Sequence, residues 1–250
     1  MGHWLKRHPL PVTAFFRHAL VLTYAFPPEV LTPLLPEGLA LDTWRGWGFL
    51  AIALVQTERM RPSFLPAAMG RAFFLSGYRI FTRLAGGASL RGLRILRSDT
   101  DRRLMVSAGN LLTHYNYSLC HAELEERGGE IRWTVRTPRG DADLDVIARG
   151  LGPDADLPAP LPVGSPFQSK AEARRFAGPL PYTFDSEKET GSIAAIRAVR
   201  QDWNPRPVQV EVRRCTYLER LPFSSAVPVL ANAFYVHDVD YKWLRGRRVA

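Results

Sequence analysis

Cysteine, lysine and long hydrophobic runs are scarce in this sequence of 250 residues, and each shortage excludes a class of protein. The two cysteines, Cys120 and Cys215, form no CxxC pair, so neither a zinc motif nor a redox motif is indicated, while a disulfide between them stays open. No segment reaches the ~20 apolar residues of a membrane span, and the N-terminal residues lack the apolar run of a signal peptide. We therefore expect a cytoplasmic protein that does not enter a membrane.

Known catalytic and metal-binding motifs are missing as well. There is no Gly-rich phosphate loop and no GxSxG segment, and the six histidines form no HxxxH pair. On an extended strand His114 and His121 would point to opposite faces. We therefore expect no metal site and no cofactor.

Positive charge is in excess, since lysine and arginine number 33 against 24 acidic residues and give a formal net charge of +9. Lysine occurs only at Lys6, Lys170, Lys188 and Lys242. Apart from Arg102, Arg103 and a C-terminal group, the arginines are scattered, and no recognition helix or RNA-binding pattern accompanies them. The sequence thus favours a solvated basic surface over nucleic-acid binding.

Many apolar segments of strand length and few helical ones predict an α+β fold with a large antiparallel sheet. Proline at a first helical turn predicts a short helix over residues 27–35, and a second helix is predicted over 165–176. Residues 127–130 read as a hairpin turn, and 57–70 as a loop. The segment 151–164 is rich in Pro, Gly and Asp and predicts a surface loop or a subdomain boundary in an otherwise single domain of residues 1–250.

The stretch from Ser98 to Cys120 ends in a dense polar and aromatic group, His114-Tyr115-Asn116-Tyr117. If these residues form a strand, His114 and Asn116 share one face, and Tyr115 and Tyr117 share the other. Hydrogen-bonding groups in an apolar wall are typical of a small-molecule pocket. The alternative is that the first pair is exposed and the tyrosines are ordinary core residues, and the pattern leaves both open.

Tyr78 and Arg79 follow Gly77 within an aromatic strand candidate, Ala72 to Arg83. An arginine on a buried strand must be paired or face water, so Arg79 is either a clamp for a carboxylate ligand or a solvent-facing residue. A glycine inside a strand marks a bulge or a close approach of backbone or ligand. The turn around Trp203 is either purely structural or places this ring at the mouth of a cavity.

Four segments, taken in order, carry a family resemblance: YAFPPEVLTPLLPEGLALDTWRGWGFLAIALVQ, RGLRILRSDTDRRLMVSAGNLLTHYNYSLC, SPFQSKAEARRFAGPLPYTFD and PVLANAFYVHDVDYKW. Over nearly its whole length the chain resembles the YqjF-like conserved bacterial family of unknown function. That family is similar in fold to acetoacetate decarboxylase. The resemblance implies a sheet closed into a double barrel or cone with an internal cavity.

The decarboxylase forms an imine between a lysine and a β-keto acid. The resemblance places its two lysine positions on Tyr115 and Asn116 of this chain and its arginine on Ala25. Imine chemistry would then be lost while the cavity remains, because no amine nucleophile is left. Any reaction would be lyase-like or hydratase-like without a Schiff base, with His114, Tyr115 and Asn116 as catalytic candidates.

We therefore predict that the cavity binds a small carbonyl-containing or anionic organic acid. The predicted binding residues are Arg79, Tyr78, Tyr115, Asn116 and Tyr117. The alternative is a non-catalytic interaction module whose basic surface meets an anionic partner.

Overall fold

A computed structural model describes residues 6–86, 90–151, 159–178, 180–187 and 190–249, and strands make up 52% of the protein. The described residues contain three α-helices: α1 (Pro28–Leu31), α2 (Arg103–Leu112) and α3 (Lys170–Ala177). Short 3-10 turns cover Thr32–Leu34, Ala67–Met69 and Phe223–Ser225. Within these ranges no helix has both the length and the apolar character needed to cross a membrane.

The strands follow one another along nearly the whole chain. They are β1 (Val12–Phe26), β2 (Leu39–Leu41), β3 (Gly48–Pro62), β4 (Arg71–Leu84), β5 (Arg91–Thr100), β6 (Tyr117–Leu119), β7 (His121–Arg127), β8 (Glu130–Arg136), β9 (Leu144–Arg149), β10 (Tyr182–Ser186), β11 (Ile193–Arg200), β12 (Arg206–Pro207), β13 (Gln209–Cys215), β14 (Val229–Trp243) and β15 (Arg247–Arg248).

The larger sheet closes on itself into a ring of seven strands, in the order β1-β3-β4-β5-β10-β11-β14 and back to β1. This confirms the sheet-rich α+β fold and the closed sheet that the resemblance implies. The sheet is mixed rather than wholly antiparallel, because β5 pairs in parallel with both β10 and β6. The chain leaves β5 through α2 and the second sheet, and it re-enters the ring at β10 in the direction of β5.

A second sheet of four strands, β13-β9-β8-β7, packs on the outer face of the ring. The predicted turn at residues 127–130 joins β7 to β8 in an antiparallel hairpin. Side chains of both sheets form one buried cluster, which includes Leu54, Tyr78 and Ile80 from the ring and Trp133 and Val146 from the second sheet. Burial of these apolar side chains holds the two sheets together.

Side-chain alternation gives each ring strand two different faces. On β3, Leu50, Ile52 and Leu54 lie in the cluster between the sheets, whereas Ala53 and Val55 face the inside of the ring. The helix α3 covers one end of the ring, where Ala51 and four phenylalanines form a separate cluster: Phe49, Phe81, Phe167 and Phe176. The interior of the ring is therefore mostly apolar, and this phenylalanine cluster closes it at the end covered by α3.

Three local predictions need correction. Residues 57–62 are not a loop, because β3 continues to Pro62 through a bulge opposite β4. The helix α3 begins at Lys170 rather than at residue 165, since the Ser169 hydroxyl caps it by accepting from the Glu172 N–H at 3.1 Å. The segment 113–116 is not a strand; it is a bend between α2 and β6. Residues 152–158 of the predicted loop lie outside the described residues, and so does Gly87, which together with Gly86 is typical of a turn.

Candidate functional site

A cavity of about 970 Å³ lies inside the ring. Its walls are mostly apolar and come from every strand of the ring, from α2 and from the end of α3. Large apolar lining residues include Phe16, Val55, Phe73, Leu75, Phe81, Ile95, Met105, Phe234 and Trp243. A cavity of this size, with few polar groups in an apolar wall, has the make-up of a small-molecule site.

The polar groups in the wall are almost all hydrogen-bond donors or hydroxyls. They belong to His8, Ser76, Arg79, Ser98, Thr113, Tyr115, Tyr117, Thr183 and Arg200, with Arg61, Arg71 and Arg102 among the lining residues as well. Of the described residues that line the cavity, none is aspartate, glutamate or lysine. The wall therefore carries a positive charge that no acidic lining residue balances.

Arg79 is one of two arginines of β4 that line the cavity, the other being Arg71 at the start of the strand. Its side chain lies along Gly77, where an added Cβ would be 2.7 Å from Nε and 2.9 Å from Nη2. The Nε atom is buried without a hydrogen-bond partner in the protein, and no described carboxylate lies within 4.0 Å of the guanidinium. The glycine predicted to mark a close approach thus makes room for this guanidinium.

Arg200 of β11 brings a second guanidinium to the same cavity. It donates to the carbonyl of Leu180 at 2.8 Å and lies over the rings of Trp203 and Tyr241, at 5.0 and 5.5 Å from their centroids. Burial lowers its pKa, and the positive charge of Arg79 lowers it further. Two cations that repel each other would both gain from a bound anion.

The bend at residues 113–116 presents Tyr115 and Tyr117 to the cavity. Asn110 holds the bend by accepting from the Tyr117 N–H at 2.8 Å and donating to the Tyr117 carbonyl at 2.9 Å. Asn116 takes a left-handed conformation (φ 53°), which asparagine tolerates better than most residues, and its amide donates to the Leu96 carbonyl at 2.8 Å. Because the backbone turns here, both tyrosines reach the same cavity for a reason other than strand alternation.

The ring of Tyr117 packs so close to α2 that only glycine fits at position 109. A Cβ at this position would be 2.3 Å from Cδ2 and 2.5 Å from Cε2 of that ring. The absence of a side chain at Gly109 therefore allows an aromatic ring to pack directly on the helix backbone.

Both cavity tyrosines are neutral phenols at physiological pH. Burial raises the pKa of Tyr115 well above its ordinary value, and it raises the pKa of Tyr117 to about 12. The Tyr115 hydroxyl is buried without a hydrogen-bond partner in the protein. A buried hydroxyl in that condition is costly, so it is an available donor for a ligand oxygen.

The other predicted site residues lie outside the cavity wall. Tyr78 is fully buried on the opposite face of β4, where its hydroxyl donates to the Ala142 carbonyl at 3.3 Å. His114 contacts Asp185, which accepts from the backbone N–H at 2.9 Å and lies 3.2 Å from Nδ1. The Asn116 side chain is directed to the Leu96 carbonyl. The structure thus brings Arg79, Tyr115 and Tyr117 together and separates Tyr78, His114 and Asn116 from them.

Sequence reasoning missed His8 and Arg200 as cavity residues. His8 is joined to Leu112 by a backbone hydrogen bond of 3.0 Å, and its Nδ1 is buried without a partner in the protein. Both residues are far from the 98–120 stretch in sequence and reach it only when the ring closes. For Trp203 the sequence left two alternatives, and the structure places this residue in the cavity wall.

The cysteines take no part in this site. Cys120 and Cys215 are both free thiols buried between the two sheets. Burial raises the pKa of each thiol, that of Cys215 to about 12, so neither is a thiolate at neutral pH. Within the described ranges no three His, Cys, Asp or Glu residues are grouped so that they could hold a metal ion.

Comparison with known sequences gives one family. The model of DUF2071, described as an uncharacterized conserved protein, matches residues 13–240. No curated protein matches the sequence.

Comparison with solved structures finds acetoacetate decarboxylases and an enzyme of enduracididine biosynthesis among the chains of similar fold. The acetoacetate decarboxylase of Legionella pneumophila aligns with a TM-score of 0.67 at 10% identity, over 97% of this chain and 88% of that one. The enduracididine biosynthesis enzyme MppR, complexed with pyruvate, aligns with a TM-score of 0.64 at 12% identity, over 97% and 91%. An acetoacetate decarboxylase-like enzyme from Sphingomonas wittichii RW1 gives 0.61 at 15%, over 98% and 94%. At these identities the likeness concerns the fold, which is acetoacetate decarboxylase-like.

Proposed function

The chain belongs to the DUF2071 family of uncharacterized conserved proteins, and we propose that its ring cavity binds a small organic acid or carbonyl compound without forming an imine. The observation that carries this proposal is the guanidinium of Arg79. It lies in an apolar cavity with no described carboxylate within ion-pair distance. A guanidinium in such a place costs free energy unless an anion pairs with it, so its position in this cavity favours an anionic ligand.

Two tyrosine hydroxyls near Arg79 also favour a ligand with carboxylate or carbonyl oxygens. The Tyr115 hydroxyl is buried, protonated and without a partner in the protein, and Tyr117 lies beside it with ring centroids 6.3 Å apart. Guanidinium N–H groups and phenol O–H groups both donate to carboxylate and carbonyl oxygens. We propose that Arg79, Tyr115 and Tyr117 bind the oxygen-bearing end of the ligand and that Arg200 adds positive charge.

The lining residues also bear on the chemistry. No described lining residue is a lysine, so the wall offers no amine that could attack a carbonyl. MppR, a neighbour in fold, has been crystallised with pyruvate, which supports a small keto acid as the first ligand to test. We propose that this cavity polarises or holds such a carbonyl through hydrogen bonds alone.

The alternative of a basic surface for an anionic partner is less well supported, because many arginines outside the cavity have acidic partners. Arg83 and Arg91 pair with Asp42, Arg132 pairs with Asp145, and Arg149 pairs with Glu211. Such pairs neutralise the surface locally.

The test is isothermal titration of the protein with pyruvate and acetoacetate. Arg79→Gln should weaken binding about 10- to 100-fold, the usual cost of losing a hydrogen bond to a charged group, and Tyr115→Phe should weaken it by a smaller factor. Arg139→Gln, at an exposed turn outside the cavity, is the matched control and should bind as the unaltered protein does. Equal affinity in the Arg79 and Arg139 variants would contradict the proposal.

Borohydride reduction tests the absence of imine chemistry separately. After incubation with acetoacetate or pyruvate, mass spectrometry of the reduced protein should show no added mass. A stoichiometric adduct on a lysine such as Lys170 would show that an imine does form.

A further inference from the structure

We infer that the ligand is an anionic amphiphile: a carboxylate with a long apolar tail, whose head lies at Arg79 and whose tail runs along the ring interior toward the open end. This inference rests on the proposed function and names its ligand class. It comes from the distribution of polar and apolar residues along the strands that form the wall.

Position along β4 shows how deep Arg79 lies. Arg71 and Arg79 are separated by eight residues on this strand, and at about 3.3 Å per residue they are about 26 Å apart. Phe73 and Leu75 lie between them on the same inward face. Farther along β4 from Arg79 lies Phe81, which belongs to the phenylalanine cluster under α3. Arg79 is thus deep in the ring, and an apolar length of wall separates it from the start of the strand.

Neighbouring elements continue this apolar wall. Val55 of β3, Phe16 of β1, Met105 of α2 and Trp243 of β14 belong to, or pack against, the same cluster as Phe73 and Leu75. Each of them also lines the cavity. A methylene chain in this space would lie against apolar side chains from four sides of the ring.

A keto acid of three or four carbons would fill only part of this volume. At about 970 Å³ the cavity lies at the upper end of the range for drug-sized ligands, ~300–1,000 Å³. In liquid water each molecule takes about 30 Å³, so a three- or four-carbon acid would leave most of this space to water against apolar walls. A tail that replaces such water gains the free energy of apolar burial.

Polar ligands of the same size fit poorly. Sugars and nucleotides carry many hydroxyl or amide groups, which lose hydrogen bonds when an apolar wall surrounds them. Between Arg71 and Arg79 on β4, the side chains of Phe73 and Leu75 offer no hydrogen-bonding group, and the hydroxyl of Ser76 already donates to Asp99 at 3.1 Å and accepts from its backbone N–H at 3.2 Å. A ligand with a carboxylate at Arg79 and an apolar tail matches this apolar length of wall, and Arg71 lies at the start of β4, at the open end.

The open end has the character expected of an entrance for such a molecule. Leu104 and Met69 line the cavity and are nevertheless 74% and 56% exposed, and Leu10 is 39% exposed. Arg61 and Arg71 are lining residues from the same end of β3 and β4. Exposed apolar side chains grouped at one opening mark an interaction site, and nearby cations attract an anionic head.

The test is a titration followed by the fluorescence of Trp203 and Trp243, which line the cavity. The probes are straight-chain carboxylates from butanoate to hexadecanoate, each below its micelle-forming concentration, and the primary alcohols of equal length. The dissociation constant of the carboxylates should fall by up to about fourfold per methylene until the cavity is filled. Each alcohol should bind at least about tenfold more weakly than its carboxylate.

Two variants separate the head from the tail. Arg79→Gln should remove the preference for carboxylate over alcohol, whereas Arg139→Gln should keep it. Val55→Phe places a ring in the apolar part of the wall, since Val55 is a buried lining residue opposite Leu75, away from the guanidinium of Arg79. It should shift the best chain length to a shorter acid while leaving butanoate binding unchanged, a result that general destabilisation cannot produce.

The outcomes distinguish this inference from the function on which it rests. If pyruvate or butanoate binds in an Arg79-dependent way and affinity does not rise with chain length, the amphiphile is wrong and the small-acid proposal stands. If neither the short nor the long carboxylates bind, both are wrong. A rise with chain length that is the same for alcohols and in Arg79→Gln would also overturn the inference, because the head would then contribute nothing.

Discussion

The two faces of β4 differ in whether their buried polar group has a hydrogen-bond partner within the protein. Tyr78 and Arg79 are neighbours in sequence and point to opposite sides of the same strand. Tyr78 packs between the two sheets, with its ring 4.0 Å from that of Tyr217 and its hydroxyl donating to the Ala142 carbonyl. Arg79 points into the ring cavity, where its Nε has no partner in the protein.

This difference separates a structural polar residue from a binding residue. Buried polar groups in native proteins are normally paired, because an unpaired one costs free energy. The packed face of β4 obeys this rule at Tyr78, whereas Arg79 on its cavity face and Tyr115 in the bend at residues 113–116, which lines the same cavity, depart from it. A departure shared by two donors in one cavity points to a ligand that accepts from both.

The largest expected effect compares the two faces with the same substitution. Leu54→Ala on the packed face should lower the free energy of unfolding by about 3–5 kcal/mol, since it leaves a hole in a filled core. Leu75→Ala on the cavity face should cost only about 1–2 kcal/mol, because part of that side chain already lacks packing partners. Urea denaturation measures both, and equal losses would show that the two faces are packed alike.

The next effect concerns two glycines that face cavity side chains. Gly109→Ala should destabilise the protein by about 1–2 kcal/mol, because the new Cβ would overlap the rigid ring of Tyr117. Gly77→Ala meets only the end of the flexible Arg79 side chain, so its cost should stay within about 0.5 kcal/mol while ligand affinity falls. Thermal denaturation measures the stability of both variants, and titration with pyruvate measures their ligand affinity. Loss of stability without loss of binding in Gly77→Ala would contradict it.

A smaller effect compares Tyr78, on the packed face of β4, with Tyr115, which lines the cavity. Tyr78→Phe should lower the free energy of unfolding by about 1 kcal/mol, the usual net value of one hydrogen bond. Tyr115→Phe should leave it unchanged or raise it by up to about 1 kcal/mol, because it removes a buried hydroxyl that has no partner in the protein. Denaturant curves of the two variants measure these changes. A clear fall in the free energy of unfolding for Tyr115→Phe would mean that the Tyr115 hydroxyl has a hydrogen-bond partner within the fold.

The smallest effect is a pH dependence at the cavity wall. Burial lowers the pKa of His8, with Asp185 partly opposing the shift, so the folded protein binds fewer protons than the unfolded chain below the ordinary histidine pKa of about 6.5. The free energy of unfolding should therefore fall as the pH falls from about 7.5 to about 5.5, before most carboxylates titrate. His8→Gln should weaken this dependence, and His121→Gln, at an exposed position, should leave it as it is. Identical pH profiles in both variants would exclude His8 as a contributor.

Much of the fold was readable from local patterns. The proline-initiated helix α1, the hairpin turn at residues 127–130 and the apolar strand β3 each follow from a few neighbouring residues. The bend at residues 113–116 was not readable, because the polar partners that fix it, Asn110 and the Leu96 carbonyl, act through side-chain contacts that strand periodicity does not describe. For the site, Arg79, Tyr115 and Tyr117 stand out in the sequence as polar groups in apolar surroundings, whereas His8 and Arg200 carry no local signal.

Sequence pattern alone thus indicated a fold built mainly of strands and which side chains of a strand share a face, because side-chain alternation is a local property. It could not decide which face of β4 would be packed and which would border a cavity. That depended on the closure of the ring through β5, β10, β11 and β14 and on the docking of the second sheet on its outer surface. Closure sets Arg79, Tyr115 and Arg200 around one space, and the second sheet covers Tyr78. Contacts between residues so distant in sequence arise only when the whole sheet is formed.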